Sequence, residues 1–208
     1  QLPPIHAARE RMVRGRLTGA HLTEYTHLLL QESKRLTRLV DNLLAYARII
    51  DVKELYQFER LAPAELIEDS LSGFERQLAE GGFEVTTDVP PDLPLGRGDR
   101  TALRLALDNL IDNAIRYSGE IRHMCVSARW SGSRVVIEVR DSGPGIPQDE
   151  IQMVKRRFVR GRRTGAHGSG LGLAIVMRVA ADHGGRFELE SVVGSGTTAQ
   201  LEVPIHAD

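Results

Sequence analysis

The stretch "LDNLIDNAIRYSG" carries four side chains that could hold a nucleotide. Asn109, Asn113, Arg116 and Tyr117 fall at i, i+4, i+7 and i+8, so a helix would present two carboxamides, a guanidinium and a phenol on one face. Hard divalent ions prefer oxygen ligands, and an asparagine carbonyl beside phosphate oxygens suits Mg2+ bound to a nucleotide. An isolated Asn-x-x-x-Asn is also what a solvated helix face looks like.

A second stretch, "VVIEVRDSGPGIP", runs from an alternating apolar segment into Asp141 and then Gly143, Pro144, Gly145 and Pro147. Alone, this much turn chemistry reads as a loop. Beside the asparagine helix it has a second meaning. The glycines would let a ligand ring approach the backbone while the Asp141 carboxylate accepts a hydrogen bond from an exocyclic amine such as that of adenine.

A third stretch is basic and then glycine-rich. Six of the nine residues from Lys155 to Arg163 are basic, and Gly168, Gly170 and Gly172 precede the apolar helix pattern "LAIVMRVAADHG". Free N–H groups and the dipole at a helix N-terminus favour an anion there. The stretch is neither a Walker loop nor a Gly-x-Gly-x-x-Gly fingerprint. A nucleic-acid patch would need interleaved aromatics, and Phe158 is the one aromatic in the basic run. Finally, "VGSGTT" offers Gly194, Gly196, Thr197 and Thr198 as a further small-residue approach.

The elements that must position these residues follow from periodicity. Leu103, Leu107, Leu110 and Ile111 give the asparagine helix an apolar side, and "PAELIEDSLSGFERQLAE" reads as another helix. "FEVTTDV", "HMCVSARW", "RVVIEVRD", "RFELESV" and "TAQLEVPI" alternate as strands, with "SGS" and "VGSG" joining two pairs as hairpins. Hairpin-linked strands with intervening helices predict an α+β two-layer domain rather than a doubly wound parallel sheet. Before it, Leu22, Leu29, Leu36, Leu43 and Ile50 repeat every seven residues without an intervening Gly or Pro, a seam that asks for another helix against it. With Ile5, Ala8 and Met12 at helical spacing and breakers at Gly15 and Gly19, the first 53 residues read as a helical hairpin.

Composition sets the bounds. The 208 residues are 41% hydrophobic with a formal net charge of −1, so nothing global points to nucleic acid or a membrane surface. The single cysteine, Cys125, reads as a small core residue, and one cysteine builds no disulfide framework. No apolar run approaches a membrane span.

In order and spacing these stretches closely resemble the catalytic core of bacterial two-component sensor histidine kinases. "LDNLIDNAIRYS" is similar to that family's N box, "DSGPGIP" to its first glycine box, "RRFVRG" to its F box, "GSGLGLAIV" and "GSGTT" to its later glycine boxes. "QESKRLTRLVDNLLAYAR" is similar to the second helix of its dimerisation hairpin. The resemblance implies two domains. Residues 1–53 would be a dimerisation and phosphotransfer hairpin, a four-helix bundle as a homodimer, and 54–208 a two-layer α/β sandwich of the GHKL (Bergerat) ATPase type.

It further implies ATP and Mg2+ as ligands, with Asn113 on the metal and Asn109 nearby. Arg116 would reach the phosphates, Tyr117 the nucleotide and Asp141 the adenine amine. Gly143, Gly145, Gly168, Gly170, Leu171, Gly172, Thr197 and Thr198 would line the site. Arg157, Phe158 and Arg160 would belong to a mobile ATP lid. Lys155 and Arg156 depart from the family, which often has an aromatic and an acidic residue there. The wider superfamily's hydrolases carry Glu where this chain has Asn109, which disfavours hydrolysis. A pseudokinase that signals by conformation is the alternative to a kinase.

The family's acceptor histidine lies about five turns before the hairpin loop, which aligns it a few residues before Gln1. His6 in "HAAR" mimics that motif but, at about 1.5 Å per residue, sits too near the loop. The implied partner is a response-regulator receiver domain, and the implied location the cytoplasmic portion of a sensor whose membrane segments lie outside this chain.

Overall fold

The computed structural model describes residues 56–155 and 170–204, together with Thr26. Apart from Thr26 these all belong to one compact unit, Tyr46–Asp208. The expected hairpin over 1–53, its leucine seam and the boundary after residue 53 lie outside the described residues, as do His6, Arg157, Phe158, Arg160 and Gly168.

The described chain runs β1 (Glu59–Leu61), α1 (Pro63–Gly81), β2 (Glu84–Asp88), β3 (Gly96–Gly98), α2 (Arg100–Tyr117), β4 (His123–Ser131), β5 (Arg134–Asp141), α3 (Gln148–Val154), α4 (Gly172–Asp182), β6 (Arg186–Val192) and β7 (Gly196–Pro204). Five strands form one sheet in the order β2-β4-β5-β7-β6, and β1 pairs with β3 in a small separate ladder. Within the large sheet β2 and β4 are parallel and the remaining neighbours antiparallel.

The period-two pattern divides the sheet into two faces. Met124, Val126 and Ala128 of β4, Val135, Ile137 and Val139 of β5, and Ala199, Leu201 and Val203 of β7 are buried in the core. Register keeps that face continuous, with Val126 opposite Val139 and Ile137 opposite Leu201. The alternate positions are mostly polar, with the buried Val136 an exception: Gln200 donates to Glu138 at 2.9 Å and Arg186 pairs with Glu202 at 2.9 Å. Cys125 belongs to this second set, half-buried between Thr86 and Arg140, so the expected core position is corrected by register. Its neighbour Met124, fully buried, takes the core slot.

Helices cover the apolar face. Pro63 at the first position of α1 suits a missing N–H, and Gly82 closes that helix in the left-handed conformation at φ 65°, its N–H donating to Ala79 O. Asp99 caps α2 by accepting from Ala102 N at 2.8 Å. Leu103, Leu107, Leu110 and Ile111 are all buried, as their spacing predicts, and α4 adds Ile175, Val176 and Val179. This is a two-layer α+β sandwich. Three elements carry no sequence signal. The strands β1 and β3 have three residues each, too few for alternation to register, and α3 has seven, two turns with Asp149 and Glu150 in the first.

Candidate functional site

Asp141 is the last residue of β5, and three segments close around it. Its Oδ1 accepts from Gly143 N at 2.8 Å, making the turn that leaves the strand. A Cβ at Gly143 would run into the Tyr117 carbonyl at the end of α2, and one at Gly145 into the Val192 carbonyl at the end of β6. Gly145 also needs its positive φ of 70°. Gly194 N donates to Pro144 O at 2.8 Å. The room these glycines leave is therefore filled by neighbouring backbone. They bring the α2 terminus, the loop after β5 and the β6–β7 turn together at one end of the sheet, a different use from the expected approach of a ligand ring.

Asp141 is 8% exposed. Burial pushes its carboxyl above the usual carboxylate range, against the Gly143 and Thr197 backbone N–H groups that hold the ionised form. Thr197 lies opposite Asp141 in register, and its hydroxyl is 2.9 Å from Ser191 Oγ. Thr198 lies opposite Arg140, so its side chain belongs to the other face of the sheet.

The two asparagines part company. Asn109 is buried, its Nδ2 donates to Leu105 O at 2.8 Å, and its Oδ1 would be 2.9 Å from a Cβ on Gly172. It packs closely against the start of α4. Asn113, one turn on, is half-buried, and its carboxamide has no hydrogen-bond partner among the described residues. Arg116 Nε pairs with Asp112 Oδ2 at 2.7 Å, one turn back. Tyr117 is half-buried at the last position of α2.

At the start of α4, Gly170 adopts φ 69° and Leu171 is 4% exposed, so Leu171 serves the core. Among the described residues no side chain caps this helix N-terminus, whose first N–H groups have no intrahelical acceptor.

Two residues that sequence reasoning did not single out help to build the site. Ser191 Oγ accepts from Ile146 N at 2.8 Å and donates to Gly196 O at 2.8 Å, tying the loop after β5 to the start of β7. Asp112 holds Arg116. A lone serine in a strand gives no signal in sequence, whereas the i, i+4 spacing of Asp112 and Arg116 does.

Residues 98–207 match the family described as histidine kinase-, DNA gyrase B-, and HSP90-like ATPase. The chain belongs to that family. The sensor-like histidine kinase SenX3 of Mycobacterium tuberculosis is 34% identical over 183 residues, 86% of this chain and 44% of SenX3. The crystal structure of full-length ShkA in complex with AMPPNP superposes with a TM-score of 0.75 at 26% identity, over 97% of this chain and 43% of that one. The Acinetobacter baumannii histidine kinase AdeS shares the fold, with a TM-score of 0.74 at 20% identity, over 99% of this chain and 95% of that one. Within the ATPase family the relatives it matches are sensor histidine kinases, and the chain spans less than half the length of SenX3. Among the described residues no helix is long and apolar enough to cross a membrane.

Proposed function

We propose that this chain binds Mg-ATP at the Asp141 end of the sheet and supplies the γ-phosphoryl group to a histidine, from which it passes to an aspartate of a response regulator. The observation that carries the reading is the buried Asp141 carboxylate, closed in by the α2 terminus and the β6–β7 turn. A carboxylate in that position accepts from the adenine amine and has nothing to donate to the oxo group of guanine.

The residues fit a cation that arrives with the nucleotide. Among the described residues no three or more acidic, histidine or cysteine side chains converge on a metal site. A magnesium ion keeping phosphate oxygens and waters as most of its ligands needs one neutral protein oxygen, and the unpartnered Asn113 carboxamide provides it. Bound there, the ion would neutralise phosphate charge.

The other groups position. Arg116, held by Asp112, faces the phosphates, and the uncapped start of α4 offers N–H groups to them. Asn109 is an amide committed to Leu105, so no general base for water stands at its position. That favours transfer over hydrolysis, with the nucleophile brought by another part of the protein. By the family resemblance this nucleophile would belong to the hairpin of 1–53 or lie just before it, in a homodimer.

Calorimetric titration tests the reading, with ATP binding in the presence of magnesium and GTP failing to bind. Equal affinity for the two overturns the adenine assignment. A version of the chain extended upstream by about twenty residues, several helical turns, is expected to incorporate acid-labile phosphate, and Asn113→Ala to abolish it.

A further inference from the structure

The face of the unit away from Asp141 contains a buried histidine that the nucleotide reading does not use. His183 follows α4 and is 4% exposed. Its Nδ1 is 2.8 Å from Val179 O, which can only accept, so Nδ1 carries the proton. Its Nε2 accepts from Asp99 N at 2.9 Å, which requires that nitrogen to be bare. The pair of contacts therefore fixes one neutral tautomer.

What this ring holds is the stretch Tyr56–Leu61, through which the chain leads into β1. Tyr56 lies over it at 5.2 Å between centroids and Phe58 at 4.9 Å, with Arg97 5.6 Å from the Phe58 ring. A Cβ at Gly98 would sit 2.8 Å from His183 Cδ2, so β3 packs against the ring directly. The same stretch is bonded to both helices beside it. Gln57 N donates to Asp99 Oδ2 at 2.9 Å, and Tyr56 OH to Asp182 Oδ2 at 3.2 Å.

We propose that His183 is a proton-sensitive latch: neutral, it fastens the lead-in segment Tyr56–Leu61 onto the first turn of α2 and the last turn of α4, and protonation at Nε2 releases that segment. A proton on Nε2 places a donor against the Asp99 N–H, so the bond is lost and two donors oppose each other. Burial lowers the affinity of the ring for that proton, and Asp99 and Asp182 nearby oppose the lowering. The other charged or titratable groups around it are Tyr56 on the lead-in, Arg97 on β3 and Arg178, which pairs with Asp182 at 2.7 Å. Since the folded value lies below the unfolded 6.5, the stabilisation is complete above about pH 6.5 and is lost as pH falls through the folded value.

Nitrogen NMR of the ring in the full chain, followed from about pH 8 to about pH 5, reads the latch directly. The expected result is an Nδ1–H tautomer at the alkaline end. As the ring takes up its proton, amide exchange at Gln57 and Asp99, corrected for intrinsic rate, rises about tenfold or more, one lost hydrogen bond's worth. His183→Gln keeps a neutral acceptor and removes that rise. An Nε2–H tautomer, a ring that titrates with no change at Gln57 and Asp99, or the same rise in His183→Gln overturns the proposal. The first two outcomes need only the unaltered chain and no nucleotide, so they stand apart from the ATP reading.

Discussion

At the first turn of α2 the polar groups are taken up by other parts of the chain. Asp99 accepts from both Ala102 and Gln57, and Arg100 reaches Glu59, Glu65 and Asp69. At the last turn the Asn113 carboxamide has no partner among the described residues, and Asp141, to which the α2 terminus is packed, is buried against its own preference for charge. One helix thus has a first turn whose polar side chains are taken up and a last turn where Arg116 is paired but the Asn113 carboxamide, among the described residues, is not. The difference separates structural from functional polarity: groups that stabilise the fold find their partners within it, and groups kept for a ligand cost the fold something until the ligand arrives.

Asp141→Asn is the sharpest way to break the comparison. Loss of the adenine hydrogen bond is expected to weaken ATP binding by about 1–3 kcal/mol, measured by titration. The same substitution should hold or raise thermal stability at neutral pH. The sign follows from the direction of the shift. With the folded carboxyl pushed above its unfolded value of 3.8, its contribution to stability is full below 3.8 and lost as pH rises through the folded value. An amide has no charge to bury, so the variant's advantage should appear above that range. A variant that binds ATP normally and melts early would reverse the assignment of this end.

The two asparagines divide the comparison within a single helix turn. Asn109→Ala removes a buried amide from Leu105 and from beneath Gly172, and should cost about 1–3 kcal/mol of stability in chemical denaturation. Asn113→Ala removes a group with no partner among the described residues, so its stability should stay within about 0.5 kcal/mol while magnesium-dependent ATP binding falls. If the two exchange effects, Asn109 is the metal-side residue and Asn113 the structural one.

Why one end was legible in sequence and the other was not has a physical reason. Asn113, Asp141 and Gly172 lie in short stretches with their own turn and helix chemistry, and the strands and α2 declare themselves by period. Tyr56, Asp99 and His183 are 43 and 84 residues apart in the chain and meet only because β1 pairs with β3 beside the end of α4. No local period encodes such a junction. The glycines were legible as tight places, but what fills a tight place, ligand or backbone, is decided by register, and Val192 and Tyr117 fill these. The stretch "VGSGTT" offers Thr197 and Thr198 together, whereas alternation sends the two to opposite faces of the sheet.

Capping gives the next effect at the satisfied end. Asp99→Ala should destabilise the unit by about 0.5–2 kcal/mol, the usual cost of a lost N-cap, and leave ATP affinity unchanged when measured at a temperature where the variant is fully folded. An affinity loss there equal to that of Asp141→Asn would mean that the two ends are not separate in function.

The smallest expected effect belongs to Arg100, although it has the most partners. Its guanidinium approaches Glu65 at 3.0 Å, Asp69 at 3.2 Å and Glu59 at 3.3 Å, and so links the lead-in strand to α1 and α2. All four side chains are more than a third exposed, however, and each exposed pair is worth about 0–1 kcal/mol once side-chain entropy and solvent screening are counted. Arg100→Gln should therefore cost less than Asp99→Ala one residue away, even though the Asp99 carboxylate has fewer partners. Salt separates the two. Surface pairs weaken as ionic strength approaches about 1 M, where the screening length is near 3 Å, so the penalty for Arg100→Gln should shrink there while the penalty for Asp99→Ala persists. A salt-independent cost at Arg100 above about 2 kcal/mol would mean that the network acts as a buried one, and that this end of α2 owes its rigidity to charge rather than to the Asp99 cap.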